Sequence, residues 1–259
     1  MKIPVYQVDA FSARLFGGNP AAICPLQTWL PDAVMQSIAA ENNLAETAFF
    51  VKTGNRYHLR WFTPAVEVDL CGHATLASAF VIMTRLAPGE SAVRFDSQSG
   101  ELAVTRDGDR YSLDFPSRPP TVCDVHPQLA AALGGRPKEI VAARDYLVAY
   151  ESEAEVQALT PDFVSLAQVD RFAVVVTAPG KQSDFVSRFF APAQGIPEDP
   201  VTGSSHCTLT PYWAKRLGKS HLHAFQISPR RGELWCQDLG ERVKITGQAV
   251  CFLEGTILL

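Results

Sequence analysis

Long runs of one kind are missing from this sequence. No block of five or more Lys or Arg occurs, and 23 basic against 27 acidic residues leave a net charge of −4, so nothing marks a nucleic-acid partner. No apolar run is long enough to span a bilayer; the most apolar helical stretch, residues 74–83, is about half a span. Met1-Lys2-Ile3-Pro4-Val5-Tyr6 reads as a strand and lacks the apolar core of a signal peptide. The six cysteines (Cys24, Cys71, Cys123, Cys207, Cys236, Cys251) form no CxxC pair, which favours free thiols over a disulfide framework. No GxGxxG, Walker loop or GxSxG elbow is present. Cys71-x-His73, His206-Cys207 and His221-x-His223 lack the spacing of the usual zinc sites, so no metal is expected. These absences leave a soluble, cytoplasmic enzyme or binding protein with no membrane and no nucleic-acid partner.

What is present is a well-cored chain. Of 259 residues 47% are hydrophobic and 19% charged, enough for two lobes or one large domain. Pro31 opens a helix that stops near Asn42-Asn43, and Ala45 to Val51 and Tyr57 to Phe62 read as strands. Short strands follow at residues 92–95, 101–105 and 111–115, the last two joined by the hairpin signal Asp107-Gly108-Asp109. In the second half, residues 171–177 are a β-branched strand, while residues 183–190 read as a helix pairing Phe185 with Phe189 at i,i+4.

The chain is organised around Asp69-Leu70-Cys71-Gly72-His73-Ala74-Thr75, a loop running into an apolar helix. The first N–H groups of such a helix have no internal partner and lie at the positive end of its dipole, so an anion can be held there. The stretch equally reads as the plain start of a core helix. A duplication raises its interest. Ser99-Gly100-Glu101-Leu102 recurs as Arg231-Gly232-Glu233-Leu234, and Asp109-Arg110 as Glu241-Arg242, both at an offset of 132. Gly72 falls on Gly203 at an offset of 131, and Phe62-x-Pro64-Ala65 on Phe190-x-Pro192-Ala193 at 128. Four matches in one order predict two similar lobes, each with antiparallel strands curled around one apolar helix, an α+β architecture. The helices are expected to start at Gly72-His73 and Gly203-Ser204, with ligands favouring the cleft between lobes. Ser117-Arg118-Pro119-Pro120 is the linker candidate, giving lobes 1–117 and 118–248, with 249–259 as an extra strand returning to the first.

Asp9-Ala10-Phe11, Gly18-Asn19-Pro20-Ala21-Ala22, Ala45-Glu46-Thr47-Ala48-Phe49, Cys71-Gly72-His73-Ala74-Thr75 and Glu198-Asp199-Pro200-Val201-Thr202-Gly203-Ser204 together resemble the PhzF family of phenazine-biosynthesis-like isomerases. The resemblance covers nearly the whole chain. It implies the diaminopimelate-epimerase-like fold of two pseudo-symmetric lobes, no cofactor and a homodimer. It implies proton movement along the conjugated system of trans-2,3-dihydro-3-hydroxyanthranilate or of another small carboxylate-bearing substrate. By the same resemblance Glu46 is the catalytic acid/base, His73 and Asp199 assist, and Gly72, Gly203 and Ser204, with Asn19, bind the substrate.

The residues themselves are compatible with these roles and with plainer ones. Glu46 among apolar neighbours is either a solvent-facing strand-end acid or a pocket carboxylate whose burial tunes it for proton transfer. His73 at a helix N-terminus should have a lowered pKa, and it either donates to a developing oxyanion or simply packs. Asp199 before Pro200 is a turn acid or a substrate-orienting group, and Ser204 an N-cap or a carboxylate donor. Related epimerases use a thiol at each helix start. Here Cys71 precedes Gly72, but Thr202 precedes Gly203 and has no accessible anionic form. An epimerase using Cys71 with a non-thiol partner is the enzymatic alternative, and a non-catalytic binding or scaffold protein is the other. Pro211 falls inside the second helix and is expected to kink or shorten it.

Overall fold

The computed structural model describes residues 1–259. The chain divides into two compact units, Met1–Asp114 with Thr246–Leu259, and Phe115–Ile245.

The first unit is a curled sheet around one buried helix. Its elements are β1 (Lys2–Ala10), β2 (Asn19–Leu26), α1 (Asp32–Asn42), β3 (Glu46–Thr53), β4 (Arg56–Phe62), β5 (Glu67–Val68), α2 (Gly72–Val81), β6 (Ala92–Ser97), β7 (Gly100–Asp107) and β8 (Arg110–Pro116). Strand β1 pairs antiparallel with β2, β2 parallel with β3, β3 antiparallel with β4, and β4 parallel with β6. Strands β6, β7 and β8 complete an antiparallel meander. The last strand of the chain (Ala249–Leu258) pairs antiparallel with β1 from Lys2↔Leu258 to Ala10↔Ala249.

Helix α2 packs against β1, β2, β3 and β7. Every residue of it but Phe80 is buried, so it is apolar all round, as a central helix must be. Its two internal hydroxyls find partners locally: Thr75 Oγ1 donates to Cys71 O at 2.6 Å and Ser78 Oγ to Ala74 O at 2.7 Å. The helix ends in a π-helical turn, Ile82–Leu86, closed by Ala87 N–H to Ile82 O at 2.7 Å. Helix α1 stops at Asn43, which takes the left-handed conformation, and buries Met35, Ile38 and Ala39 against Phe49 and Phe62.

The second unit holds α3 (Leu129–Leu133), β9 (Glu139–Ala142), β10 (Tyr146–Ala149), α4 (Glu153–Ala158), α5 (Phe163–Leu166), β11 (Val174–Pro179), β12 (Phe185–Ala191), β13 (Ile196–Asp199), α6 (His206–Leu217), β14 (His221–Gln226), β15 (Gly232–Asp238) and β16 (Arg242–Gly247), and Ala249–Leu258 is then β17. Strand β10 is antiparallel to β9 and parallel to β11, while β12 pairs with β11, β13 and β14, and β14 with β15. Helix α6 lies on β14 and β15, and its Trp213 stacks on Phe185 at 5.7 Å and donates to Thr177 Oγ1 at 2.9 Å. Together the units make an α+β fold of two sheet lobes, each with a central helix, apolar all round in α2 and amphipathic in α6.

Two expectations are corrected here. Residues 183–190 are not helical. Residues 185–190 belong to β12, paired with β11 and β14, and Val186, Phe189 and Phe190 are buried along with Phe185, so the usual polar alternation is lost. Pro211 does not break α6, which runs from His206 to Leu217. The proline removes the N–H that Cys207 O would accept, and Arg118 N–H takes that carbonyl at 2.9 Å instead. The segment read as a linker is thus tied to α6.

Glycine is required at one position in the loop between β1 and β2. Gly18 has φ of +64°, and a Cβ there would lie 2.1 Å from Ala10 O, whereas Gly54, at the same φ, has open space around it. Gly54→Ala should therefore cost about 1–2 kcal/mol, the left-handed penalty alone, and Gly18→Ala distinctly more. Urea unfolding of both variants checks this, and equal losses would show that the Ala10 carbonyl yields freely.

Candidate active site

Four side chains meet at the start of α2. Cys71 is its N-cap and His73 its second residue; Glu46 opens β3, where it pairs with Ala21 of β2, and Asn19 opens β2. The loop that delivers Asn19 is held in an unfavourable shape. Phe11 and Phe16 have φ of 61° and 69°. Buried Asp9 accepts the Phe16 N–H at 2.9 Å, and the Phe11 ring sits where a Cβ on Gly247 would be.

His73 stands between its neighbours. Its Nε2 is 3.1 Å from Glu46 Oε2, and its Nδ1 is 3.3 Å from Asn19 Nδ2 and 3.5 Å from Cys71 Sγ. The side chains of His73 and Glu46 are only 7% and 13% exposed. Although Nε2 and Oε2 are close, the contact lacks the alignment of a hydrogen bond, and neither atom has another partner. A buried polar atom left so costs about 1–3 kcal/mol, a cost that a bound ligand can relieve. The N–H groups of Gly72 and His73 precede the first intrahelical donor, Thr75 N–H, which reaches Cys71 O at 3.2 Å.

The charge on His73 differs from the expectation of a lowered pKa. Burial does oppose the charged ring, but Cys71 and Glu46 on its two sides outweigh burial, and its pKa lies well above the ordinary value. Burial, and then Glu46, push the Cys71 thiol up, against the opposing pull of the His73 ring. The helix dipole, worth a fraction of a charge at that end, is the weaker influence. A protonated ring points Nδ1–H at Cys71 Sγ, and a half-turn of the Asn19 amide offers it Oδ1.

The second unit carries Asp199, Gly203 and Ser204 on one segment. Asp199 ends β13 opposite Phe189 of β12, and its Oδ2 accepts a short hydrogen bond from Thr202 Oγ1. The preceding Glu198 is gripped by Arg188 through two bonds of 2.8 and 2.9 Å, and the same guanidinium donates to the carbonyls of Val156 and Leu159 around the end of α4. Gly203 and Ser204 lie in a turn ahead of α6 rather than opening it. His206, Cys207 and Thr208 N–H bond to Gly203, Ser204 and Ser205 O at 3.0, 3.2 and 3.0 Å, and the first α-type bond is Leu209 N–H to Ser205 O. The cause is local: Thr202 O is taken by Ser205 Oγ at 2.8 Å and His206 Nδ1 at 2.9 Å, not by a helical N–H.

The family model of the phenazine biosynthesis-like protein, PhzC-PhzF, matches residues 8–255. The chain belongs to the PhzF family. It is 50% identical over 259 residues to an uncharacterized isomerase of Pseudomonas aeruginosa, covering all of both chains. It is 40% identical over 286 residues to the phenazine biosynthesis-like domain-containing protein of Homo sapiens, covering 99% of each. A crystal structure of a PhzF-family phenazine biosynthesis protein from Enterococcus faecalis superposes with a TM-score of 0.98, at 50% identity and full coverage of both chains. The diaminopimelate-epimerase-like fold follows from this match. No helix is long and apolar enough to cross a membrane.

Within this PhzF-family chain the donors of Glu46, Cys71 and His73 lie within 4.8 Å of one another. They suit a proton relay better than a metal cage. The imidazole presents Nδ1 to the thiol and Nε2 to the carboxylate, so an ion on either nitrogen's lone pair meets only one of the other donors. The pairs Cys71-x-His73, His206-Cys207 and His221-x-His223 do not converge on such a site: His206 faces Thr202 O, and His223 pairs with Glu233 at 2.7 Å. Nothing in the sequence assigns a role to Asp9 or Gln226, and it marks His206 only as half of a metal pair, yet all three shape the loops carrying the candidate residues. Asp9 lay inside a quoted motif, but a Gln in an alternating strand carries no signal.

His206 is fully buried, its Nδ1–H bonds Thr202 O, and burial lowers its pKa to about 4. The sign is that of a depressed cation: the unfolded chain binds the proton first, so this contribution is complete above pH ~6.5 and lost as pH falls toward 4. The loss amounts to roughly 3 kcal/mol. Urea unfolding between pH 7 and 4.5 should show it, with a shallower slope in His206→Asn. For His73 the expected result is a ring still protonated at pH 7.5 by heteronuclear NMR and neutral there in Glu46→Gln; identical titrations would remove Glu46 as the anion that charges it.

Proposed function

We propose that this protein is a cofactor-independent isomerase that moves a proton on a small carboxylate-bearing substrate. The observation that carries the reading is the buried Glu46–His73 contact, in which carboxylate and ring are close yet unaligned and so both open to a ligand. Glu46 removes a proton from a carbon next to a carbonyl or at the end of a conjugated system. The electron pair left on the substrate spreads toward an oxygen, where the His73 N–H stabilises it. Glu46 then returns the proton to a different carbon, so atoms and charge balance without an oxidant. The Gly72 amide and Asn19 help to hold the substrate, and Asp199, Gly203 and Ser204 take the assisting and anion-holding roles that the family resemblance gives them. A homodimer belongs to the same proposal; sedimentation at the mass of one chain would remove it.

The Cys71 epimerase is the weaker reading, because burial and Glu46 push that thiol up, away from the thiolate such chemistry needs. A panel of cyclic and amino-acid carboxylates in deuterium oxide separates the possibilities. Wild type should incorporate deuterium into at least one compound, and Glu46→Gln should lose that exchange by at least about a hundredfold while still binding it. Exchange undiminished in Glu46→Gln would sink the role of Glu46, a large loss in Cys71→Ser would revive the thiol, and no exchange with any compound would favour a binding protein.

A further inference from the structure

Gln226, the last residue of β14, is fully buried, yet all its amide bonds go to the Asp199–Thr202 segment. Its Oε1 accepts Thr202 N–H at 2.8 Å, and its Nε2 donates to Asp199 O at 2.8 Å and to Thr202 Oγ1 at 3.3 Å. We propose that Gln226 is a positioning residue that aims the Asp199 carboxylate, an inference resting on the role proposed above for Asp199.

A single hydrogen sets the direction of these bonds. A threonine hydroxyl has one O–H to give and two lone pairs to offer. Because Nε2–H donates into Thr202 Oγ1, the hydroxyl is left to donate outward, and Asp199 Oδ2 is where that bond goes. The relay therefore has one direction: amide to hydroxyl to carboxylate. It holds the Asp199 side chain by an aligned donor, while Gln226 fixes the main chain of Asp199 and Thr202 directly.

The frame behind Gln226 is built for this seat. In the β14–β15 ladder Gln226 pairs with Gly232, and on the other side Ser187 of β12 pairs with Gln226. A Cβ on Gly232 would lie 2.2 Å from Val201 Cγ2, so the bare glycine leaves room for buried Val201. Ser228 Oγ, two residues beyond Gln226, donates to Pro200 O at 2.7 Å. Pro200, Val201 and Thr202 are thus each anchored to one end of the same ladder, and the carboxylate between them and β13 inherits that rigidity.

Glutamate at 226 inverts the relay without changing its shape. An ionised carboxylate accepts the Thr202 hydroxyl hydrogen, which then no longer reaches Asp199. Burial raises a carboxyl pKa, and the protonated acid can donate again as the amide did. Side-chain rotamer couplings of Asp199 and amide exchange of Thr202, both by NMR, read this without any substrate. Wild type should show one Asp199 rotamer from pH 5 to 8. Gln226→Glu should show averaging at pH 8 that reverts toward one rotamer at pH 5. Gln226→Leu should average throughout, with Thr202 exchange at least tenfold faster and neighbouring β14 amides unchanged. A single Asp199 rotamer in both variants, or averaging in Gln226→Glu that ignores pH, would overturn the proposal. Glu46→Gln should leave both readouts as in wild type, so failure of the catalytic reading is distinguishable from failure of this one. If rotamers respond as expected, kcat for deuterium exchange by Gln226→Glu should fall tenfold or more at pH 8 with KM within about threefold, and recover toward pH 5.

Discussion

A cationic ring cannot be buried without an anion beside it, and in this protein that anion sits one hydrogen-bond length from His73. Much of the first unit serves this contact. Glu46 must begin β3 at the point where β2 runs alongside, His73 must fall in the first turn of α2, and α2 must be apolar on every side to lie inside the sheet. The helix itself is made of small residues and back-bonded hydroxyls, so no polar group of its own competes for the site. A carboxylate held against an imidazole, both with hydrogen-bonding capacity left over, is the arrangement on which the proposed proton transfer rests.

Legibility from the sequence followed how local the cause was. The α1 stop at Asn43 and the Gly108 hairpin were readable, because each depends on the conformational preference of residues in place. Helix α2 was readable from its apolar run. Strand β12 was not: Phe185 and Phe189 satisfy a helical i,i+4 spacing and a period of two equally well, and only pairing with β11 and β14 decides. The raised pKa of His73 was hidden for a similar reason. The helix dipole is visible in sequence as a neighbour along the chain, whereas Glu46, which with Cys71 raises the ring's pKa against burial, is a neighbour only in space.

Pro211 shows how a local rule can be right about the cause and wrong about the outcome. The proline removes a hydrogen bond from α6 and its ring crowds the carbonyl four residues back, yet the helix continues to Leu217. Arg118 N–H supplies the partner from outside the helix, so the carbonyl is satisfied and a segment that composition marks as a linker is pinned. Conservation of backbone hydrogen bonding, rather than helix propensity, decides the result.

The duplicated helix starts make the same point at the candidate site. In the first unit Cys71 O accepts from Thr75 N–H, so α2 begins at once and the amides of Gly72 and His73 stand at a true helix N-terminus. In the second, Ser205 Oγ and His206 Nδ1 occupy the corresponding carbonyl of Thr202, the chain closes three tighter turns, and α6 starts at His206. Two side chains following Gly203 are enough to change which amides are exposed. A repeat in sequence therefore carries over the fold of each unit but not the electrostatics of its helix start. The first start presents amides at a helix end; in the second, buried Gln226 holds the Asp199–Thr202 segment and bare Gly232 leaves room for Val201 beside it.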